Sequence, residues 1–86
     1  MKLRFTGQFE QAYEKLSRAE KESVQKALSL LEQNPGYPNL QIKKLEGVRD
    51  IWEARPSRRL RMTFQIEGDM TMMRNMGEHD KVLKRP

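Results

Sequence analysis

The sequence predicts an α+β fold: an N-terminal strand, a helical hairpin and a three-stranded antiparallel meander, with the helices packed on one face of the sheet. Three observations predict it. Apolar residues recur every three to four positions between residues 9 and 31, as in amphipathic helices. From residue 51 onward they alternate with polar residues, as in half-buried strands. Turn-forming residues separate the two regions at 34–39. We expect a single domain over 1–86, since the chain is short.

The N-terminal region predicts one strand and one helix. Leu3 and Phe5 alternate with polar residues over positions 2–6, which is typical of a strand, and Gly7 ends it. The next apolar residues have helical spacing and are Phe9, Tyr13 and Leu16. A first helix is therefore expected soon after the glycine.

A second helix is predicted to begin at a capping box. Ser17 and Glu20 have the spacing at which a serine hydroxyl and a glutamate carboxylate each accept a backbone N–H at a helix start. The buried positions of this helix are predicted to be Val24, Ala27, Leu28 and Leu31. The segment 34–39, which contains two prolines and a glycine, ends the helix and completes the hairpin.

The first strand of the meander is predicted at 51–56. Trp52 and Ala54 fall on one face, and Glu53 and Arg55 fall on the other. Tryptophan can stack on a nucleic acid base. The shared parity with Ala54 favours a core position for Trp52 instead, because a lone tryptophan in a small domain usually anchors the core.

The second and third strands are predicted at 59–67 and 70–76. The core-facing residues of the second strand are Leu60, Met62, Phe64 and Ile66. Its outward-facing residues are Arg59, Arg61, Thr63, Gln65 and Glu67. Gly68 and Asp69 are expected to take positive φ in the turn between the strands. The methionines of the third strand are interpreted as flexible apolar filler.

The charge balance favours an anionic partner. The net charge is +5, which suits nucleic acid, a membrane surface or an acidic protein. The chain has no cysteine, so no disulfide framework is possible. No apolar run approaches the roughly 20 residues that cross a bilayer, and the N-terminus lacks an apolar signal core. We expect a cytoplasmic protein without a membrane partner.

Four arginines crowd two neighbouring strands: Arg55, Arg58, Arg59 and Arg61. Each could simply be a solvated surface residue. Together they would repel one another unless an anion lay among them, and guanidinium groups bind phosphate through a planar fork. A phosphate-binding face is therefore indicated.

His79 is the only histidine of the chain and precedes Asp80. A zinc or iron site needs three or four ligands, usually several histidines or cysteines, so we expect no metal and no cofactor. Histidine exchanges protons near neutral pH, which makes His79 a candidate proton carrier. The alternative, a surface histidine without a catalytic role, stays open at this point.

In order along the chain, "KKLEG", "WEAR", "RLRMTFQIEGD" and "MGEHDKVL" resemble the RelE/ParE superfamily of bacterial toxins from type II toxin–antitoxin pairs. The resemblance covers nearly the whole length and is strongest to the RelE-like and YoeB-like branches. It implies a ribosome-dependent endonuclease that cleaves messenger RNA without metal: the 2′-hydroxyl attacks the adjacent phosphate, leaving a 2′,3′-cyclic phosphate and a free 5′-hydroxyl.

The resemblance also implies roles for individual residues. The catalytic positions would be Arg61 and Arg55, which stabilise charge on the phosphate, and His79, which transfers a proton. The RNA-binding positions would be Lys43, Lys44, Arg58, Arg59 and Lys81. Messenger RNA, the ribosome and a cognate acidic antitoxin would be the partners.

Three positions depart from the family pattern. Asp80 and Leu83 stand where active members have an aromatic residue, and Glu53 stands where the RelE-like branch has a basic one. Two other functions therefore remain in competition. One is a ParE-like inhibitor of DNA gyrase, and the other is a catalytically weakened RNA-binding relic.

Overall fold

The predicted α+β architecture is confirmed in the computed structural model, which describes residues 2–86. The elements are β1 (Lys2–Phe5), α1 (Gly7–Glu14), α2 (Arg18–Gln33), a 3-10 helix (Pro38–Leu40), β2 (Lys43–Lys44), β3 (Trp52–Ala54), β4 (Leu60–Glu67), β5 (Met70–Glu78) and α3 (His79–Lys84). The sheet order is β1-β5-β4-β3-β2. β1 runs parallel to β5, and the other neighbours are antiparallel. The short strand β2 and the helix α3 are additions to the predicted order.

Side chains cap both helices of the hairpin. The Thr6 hydroxyl accepts the backbone N–H of Phe9 at 3.0 Å and so caps α1. The predicted capping box of α2 is confirmed. The Glu20 N–H donates to the Ser17 hydroxyl at 3.2 Å, and the Ser17 N–H donates to the Glu20 carboxylate at 3.1 Å. The helix α2 ends at Gln33, directly before the predicted stop.

The core lies between the helical hairpin and one face of the sheet. Its buried members are Phe9, Val24, Ala27, Leu31, Leu40, Ala54, Leu60, Met62, Phe64, Met73 and Met76. Trp52 packs against this cluster, so the core interpretation is confirmed. Ile66 was predicted to face the core but is 45% exposed. It lies close to the hairpin turn, outside the buried cluster.

The opposite, outer face of the sheet is partly covered, which the alternating pattern did not predict. Thr63 was expected to face solvent but is fully buried. The cover is α3, whose Val82 is 1% exposed and lies against Gly77, the residue that pairs with Arg61. Only α1 and α2 therefore pack on the predicted face, and α3 packs on the other.

A β-bulge in β5 helps to hold this cover in place. The register shifts opposite Thr63 and Phe64, so Arg74 is an extra residue in the ladder. Arg74 Nε donates to the Pro86 carbonyl oxygen at 3.0 Å, and Asn75 Nδ2 donates to the Arg85 carbonyl at 2.9 Å. Two consecutive side chains thus bind the segment that follows α3.

The turn between β4 and β5 differs slightly from the prediction. Gly68 has φ of +63°, as expected. Asp69 does not have positive φ, so only Gly68 takes the left-handed conformation.

Among residues 2–86, no helix is both long and apolar enough to cross a membrane.

Candidate active site

The outer face of the sheet contains a buried carboxylate paired with a partly buried arginine. Glu53, in the middle of β3, has a side chain only 4% exposed, and the Arg61 side chain on β4 is 12% exposed. Arg61 Nε lies 3.5 Å from Glu53 Oε1. The register explains the pair, because Glu53 stands opposite Thr63 and diagonal to Arg61 on the same face. Lys43 on β2 approaches the same carboxylate oxygen at 4.0 Å from the other side.

Arg61 is fixed by backbone as well as by Glu53. Its Nη1 donates to the carbonyl oxygens of Arg58 at 3.0 Å and Leu60 at 2.9 Å. Its Nη2 makes no hydrogen bond within residues 2–86. A guanidinium held at two nitrogens with a third available is oriented to bind an anion such as phosphate.

The predicted basic residue Arg55 lies beside this pair. It follows β3, and its Nη1 donates to Gln41 Oε1 at 2.9 Å. Its Nη2 donates to the Arg58 carbonyl oxygen at 3.4 Å, the same oxygen that Arg61 contacts. The structure therefore brings Arg55 and Arg61 together, as strand parity predicted.

His79 is the first residue of α3 and lines a groove of about 250 Å³ on the same face. The groove wall also includes Lys43, Glu53 and Leu83. His79 is exposed and makes no hydrogen bond to Asp80 or to any other part of the described chain. The imidazole is thus accessible to a ligand in the groove, and Asp80 does not orient it. Among residues 2–86, no three histidine, aspartate or glutamate side chains come together as a metal site requires.

Of the other predicted contacts, Lys44 lines the same groove as His79, whereas Arg58, Arg59 and Lys81 do not. Arg59 forms ion pairs with Glu20 of α2 and with Glu78, the latter at 3.0 Å. Its charge is thereby compensated on the side of the sheet that faces α2. Lys44 lies 3.9 Å from Asp50. Arg58 and Lys81 are exposed.

Glu53 is the site residue that the sequence did not assign to the site. Strand parity placed Glu53 correctly on the outward face. The family resemblance indicated that Glu53 stands where the RelE-like branch has a basic residue. Alternation alone could not show that α3 and β2 enclose this face, so a buried glutamate was not expected. The signal that could have found it is the four-residue segment 52–55, where an acidic residue lies between an aromatic core residue and an arginine.

The fold resembles several solved toxin structures. A chain of the DinJ–YafQ toxin–antitoxin complex from E. coli superposes with a TM-score of 0.78 at 12% identity, over 93% of both chains. The YoeB/ParE toxin from Agrobacterium tumefaciens gives 0.76 at 17% identity, over 92% of this chain and 99% of that one. The chain has the RelE/ParE toxin fold. A RelB–RelE antitoxin–toxin complex from Methanococcus jannaschii gives 0.75 at 13% identity, over 95% and 96%.

The comparisons based on sequence gave no match. No family model matches this chain, and no curated protein matches it. The RelE/ParE likeness therefore concerns the fold. Within that fold, Glu53 connects the oriented Arg61 to the groove that the accessible His79 lines.

Proposed function

We propose that this protein is the toxin of a type II toxin–antitoxin pair, and that it cleaves messenger RNA in the ribosome by attack of the 2′-hydroxyl on the adjacent phosphate. The single observation that supports the proposal best is that Glu53, which lines the groove of the exposed His79, also contacts the oriented guanidinium of Arg61. Arg61 supplies the fixed positive charge, and His79 supplies the exchangeable proton.

The reaction needs a proton removed from the 2′-oxygen and a proton delivered to the leaving 5′-oxygen. The new bond joins the 2′-oxygen to phosphorus, and the bond to the 5′-oxygen breaks. His79 is the residue we assign to proton exchange with these oxygens, because it is accessible in the groove. The charge that develops on the non-bridging oxygens is stabilised by Arg61 through Nη2 and by Arg55 beside it.

Glu53 supports the reaction without touching the substrate. Its Oε2 is buried without a hydrogen-bond partner within residues 2–86, and the side chain is almost fully enclosed. Although Glu53 contributes to the groove wall, its side chain is only 4% exposed and its Oε1 contacts Arg61 and Lys43, so we do not assign it the proton transfer from the ribose hydroxyl. We therefore assign Glu53 as a positioning residue that fixes Arg61 and draws Lys43 toward the groove.

The basic surface and the toxin fold support an acidic antitoxin as the partner. A net charge of +5 favours association with an acidic chain, which would be partly disordered before it binds. The similar DinJ–YafQ and RelB–RelE structures are complexes of a toxin with an antitoxin. In this proposal the antitoxin covers the groove and keeps RNA away from Arg61.

The proposal is tested by expressing the chain in bacteria without a partner. Wild type should arrest growth, and primer extension on messenger RNA should reveal new 5′ ends. Arg61→Met and His79→Gln should both restore growth and remove the new ends at equal protein level. Growth at the normal rate with folded wild-type protein present would refute the proposal.

A second candidate, inhibition of DNA gyrase in the manner of ParE, is favoured by one observation. The charge of Arg61 is compensated by a buried carboxylate, which weakens its attraction for phosphate. A gyrase inhibitor would leave messenger RNA intact and block supercoiling of plasmid DNA. Intact transcripts together with relaxed plasmid after induction would support this candidate over RNA cleavage.

A further inference from the structure

We propose that the cleft between α2 and the 37–41 loop is a second binding site for single-stranded RNA, one that holds nucleotides flanking the cleaved bond. This inference rests on the proposed RNA cleavage but concerns different residues. Tyr37 is the stacking platform for a base, and Lys26 and Arg58 contact the phosphates.

Two adjoining grooves form the cleft. One, of about 260 Å³, lies between α2 and the loop and is lined by Lys26 and Tyr37. The other, of about 520 Å³, is lined by Gln41 and Arg58. Asn39, Arg55 and Pro56 line both, so the two grooves share a wall and form one path.

The electrostatics of the cleft suit a polyanion. No aspartate or glutamate lines either groove, although the chain contains 12 acidic residues. Lys26, Arg55 and Arg58 make no ion pair with a carboxylate within residues 2–86, in contrast to Arg59 and Arg61. Uncompensated cations along a groove attract a nucleic acid backbone.

Tyr37 supplies the aromatic surface that single-strand binding requires. It precedes the 3-10 helix and is 36% exposed, so part of its ring is accessible to a base. Single-strand binding sites combine a basic groove with an aromatic face, because every base can stack on a ring. The Asn39 and Gln41 amides on the same walls offer donors and acceptors to base edges.

The cleft continues into the candidate active site through Arg55. Its guanidinium lines both grooves and shares the Arg58 carbonyl oxygen with Arg61. Arg55 Nη1 and Nη2 donate to Gln41 Oε1 and to the Arg58 carbonyl oxygen, which fixes this side chain where the two grooves meet. A strand with one phosphate at Arg61 can therefore pass Arg55 and place a neighbouring base near Tyr37.

The test uses the full chain and RNA that cannot be cleaved. Oligonucleotides of about three and about seven nucleotides, with 2′-O-methyl riboses, are titrated into isotopically labelled protein and followed by NMR. The longer one should shift the amides of Tyr37, Asn39 and Lys26 as well as those around His79. It should also bind more tightly than the shorter one by at least about fivefold, the lower end of what one stacked base contributes.

Matched variants separate stacking from charge. Tyr37→Leu should abolish the advantage of the longer oligonucleotide, and Phe5→Leu, at another exposed aromatic, should keep it. Lys26→Gln should reduce the slope of log affinity against log salt by about 0.7, the contribution of one phosphate on a single strand. Lys15→Gln should leave that slope unchanged.

The inference is overturned by equal affinity for both lengths, by shifts confined to the His79 groove, or by full retention of binding in Tyr37→Leu. Failure of the RNA cleavage proposal has a different signature. In that case wild type would leave transcripts intact, while the length dependence and the effect of Tyr37→Leu could each still be measured on the uncleavable RNA.

Discussion

Replacing Glu53 by glutamine tests the positioning role of the buried carboxylate. The substitution keeps the volume of the side chain and removes its charge. Arg61 would lose its partner at 3.5 Å but keep the two backbone carbonyls at 2.9 and 3.0 Å. We expect Glu53→Gln to lower stability and to release the guanidinium toward the groove.

The magnitude follows from the geometry of the pair. Two unit charges 3.5 Å apart attract by roughly 5 kcal/mol at an effective dielectric constant of about 20, and desolvation cancels part of this. Removing one partner of a buried pair costs about 3–5 kcal/mol. Because Arg61 keeps its carbonyl partners, we expect a loss of about 2–3 kcal/mol. For a domain of this size that lowers Tm by roughly 10–20 °C.

The two readouts are thermal unfolding by circular dichroism and the affinity for uncleavable RNA. Affinity should rise, by up to about tenfold, because the internal anion no longer competes with phosphate for Arg61. The cleavage rate should fall, because the guanidinium is no longer fixed. Glu67→Gln, at an exposed position at the end of β4, is the control. Unchanged Tm together with unchanged affinity would show that Glu53 does not hold Arg61 in place.

Three further predictions concern the surroundings of the site. Val82→Ala should destabilise the fold by about 2 kcal/mol in chemical unfolding, because Val82 is 1% exposed, whereas Leu83→Ala, at 42%, should cost less than about 1 kcal/mol. Equal losses would contradict the docking of α3. Arg74→Met should remove the bonds to Pro86 and Gln65 and speed amide exchange in α3, and protected amides there would refute this. Arg59→Gln should keep the cleavage rate within about twofold of wild type, whereas Arg61→Gln should lower it by about 100-fold or more. A large loss of rate in Arg59→Gln would show that Arg59 contacts the RNA after all.

The sequence predicted the parts of the fold that local rules determine. The capping box at Ser17 depends on four consecutive residues, and it formed as predicted. The face on which Trp52 and Ala54 lie depends on strand parity, and the prediction that both pack in the core is also confirmed. The extra strand β2 has only two residues, too few for a periodic pattern to reveal it.

The enclosed outer face could not be predicted, because it depends on contacts between distant residues. Thr63 alternates like a solvent-facing residue, and it is buried only because α3 folds back over the sheet. The bulge at Arg74 shifts the ladder by one residue and directs two neighbouring side chains to one face, which a strict two-residue period does not allow.

Strand parity predicted part of the candidate site, and contacts between distant residues determine the rest. Arg55 and Arg61 share a face by parity, and the structure brings them to the same carbonyl oxygen. Arg59 has the same parity as Arg61, yet it precedes β4 and turns to carboxylates on Glu20 and Glu78. Pairing of this kind depends on where α2 lies, and no local pattern encodes that.

In the proposed reaction, Arg61 and His79 cleave RNA through the 2′-hydroxyl. The most direct test incubates purified protein with ribosomes that hold a defined messenger RNA and determines the chemistry of the product ends. We predict 2′,3′-cyclic phosphate and 5′-hydroxyl ends, with a rate at least about 100-fold lower for Arg61→Met. Intact messenger RNA, or products with 5′-phosphate ends, would contradict the claim.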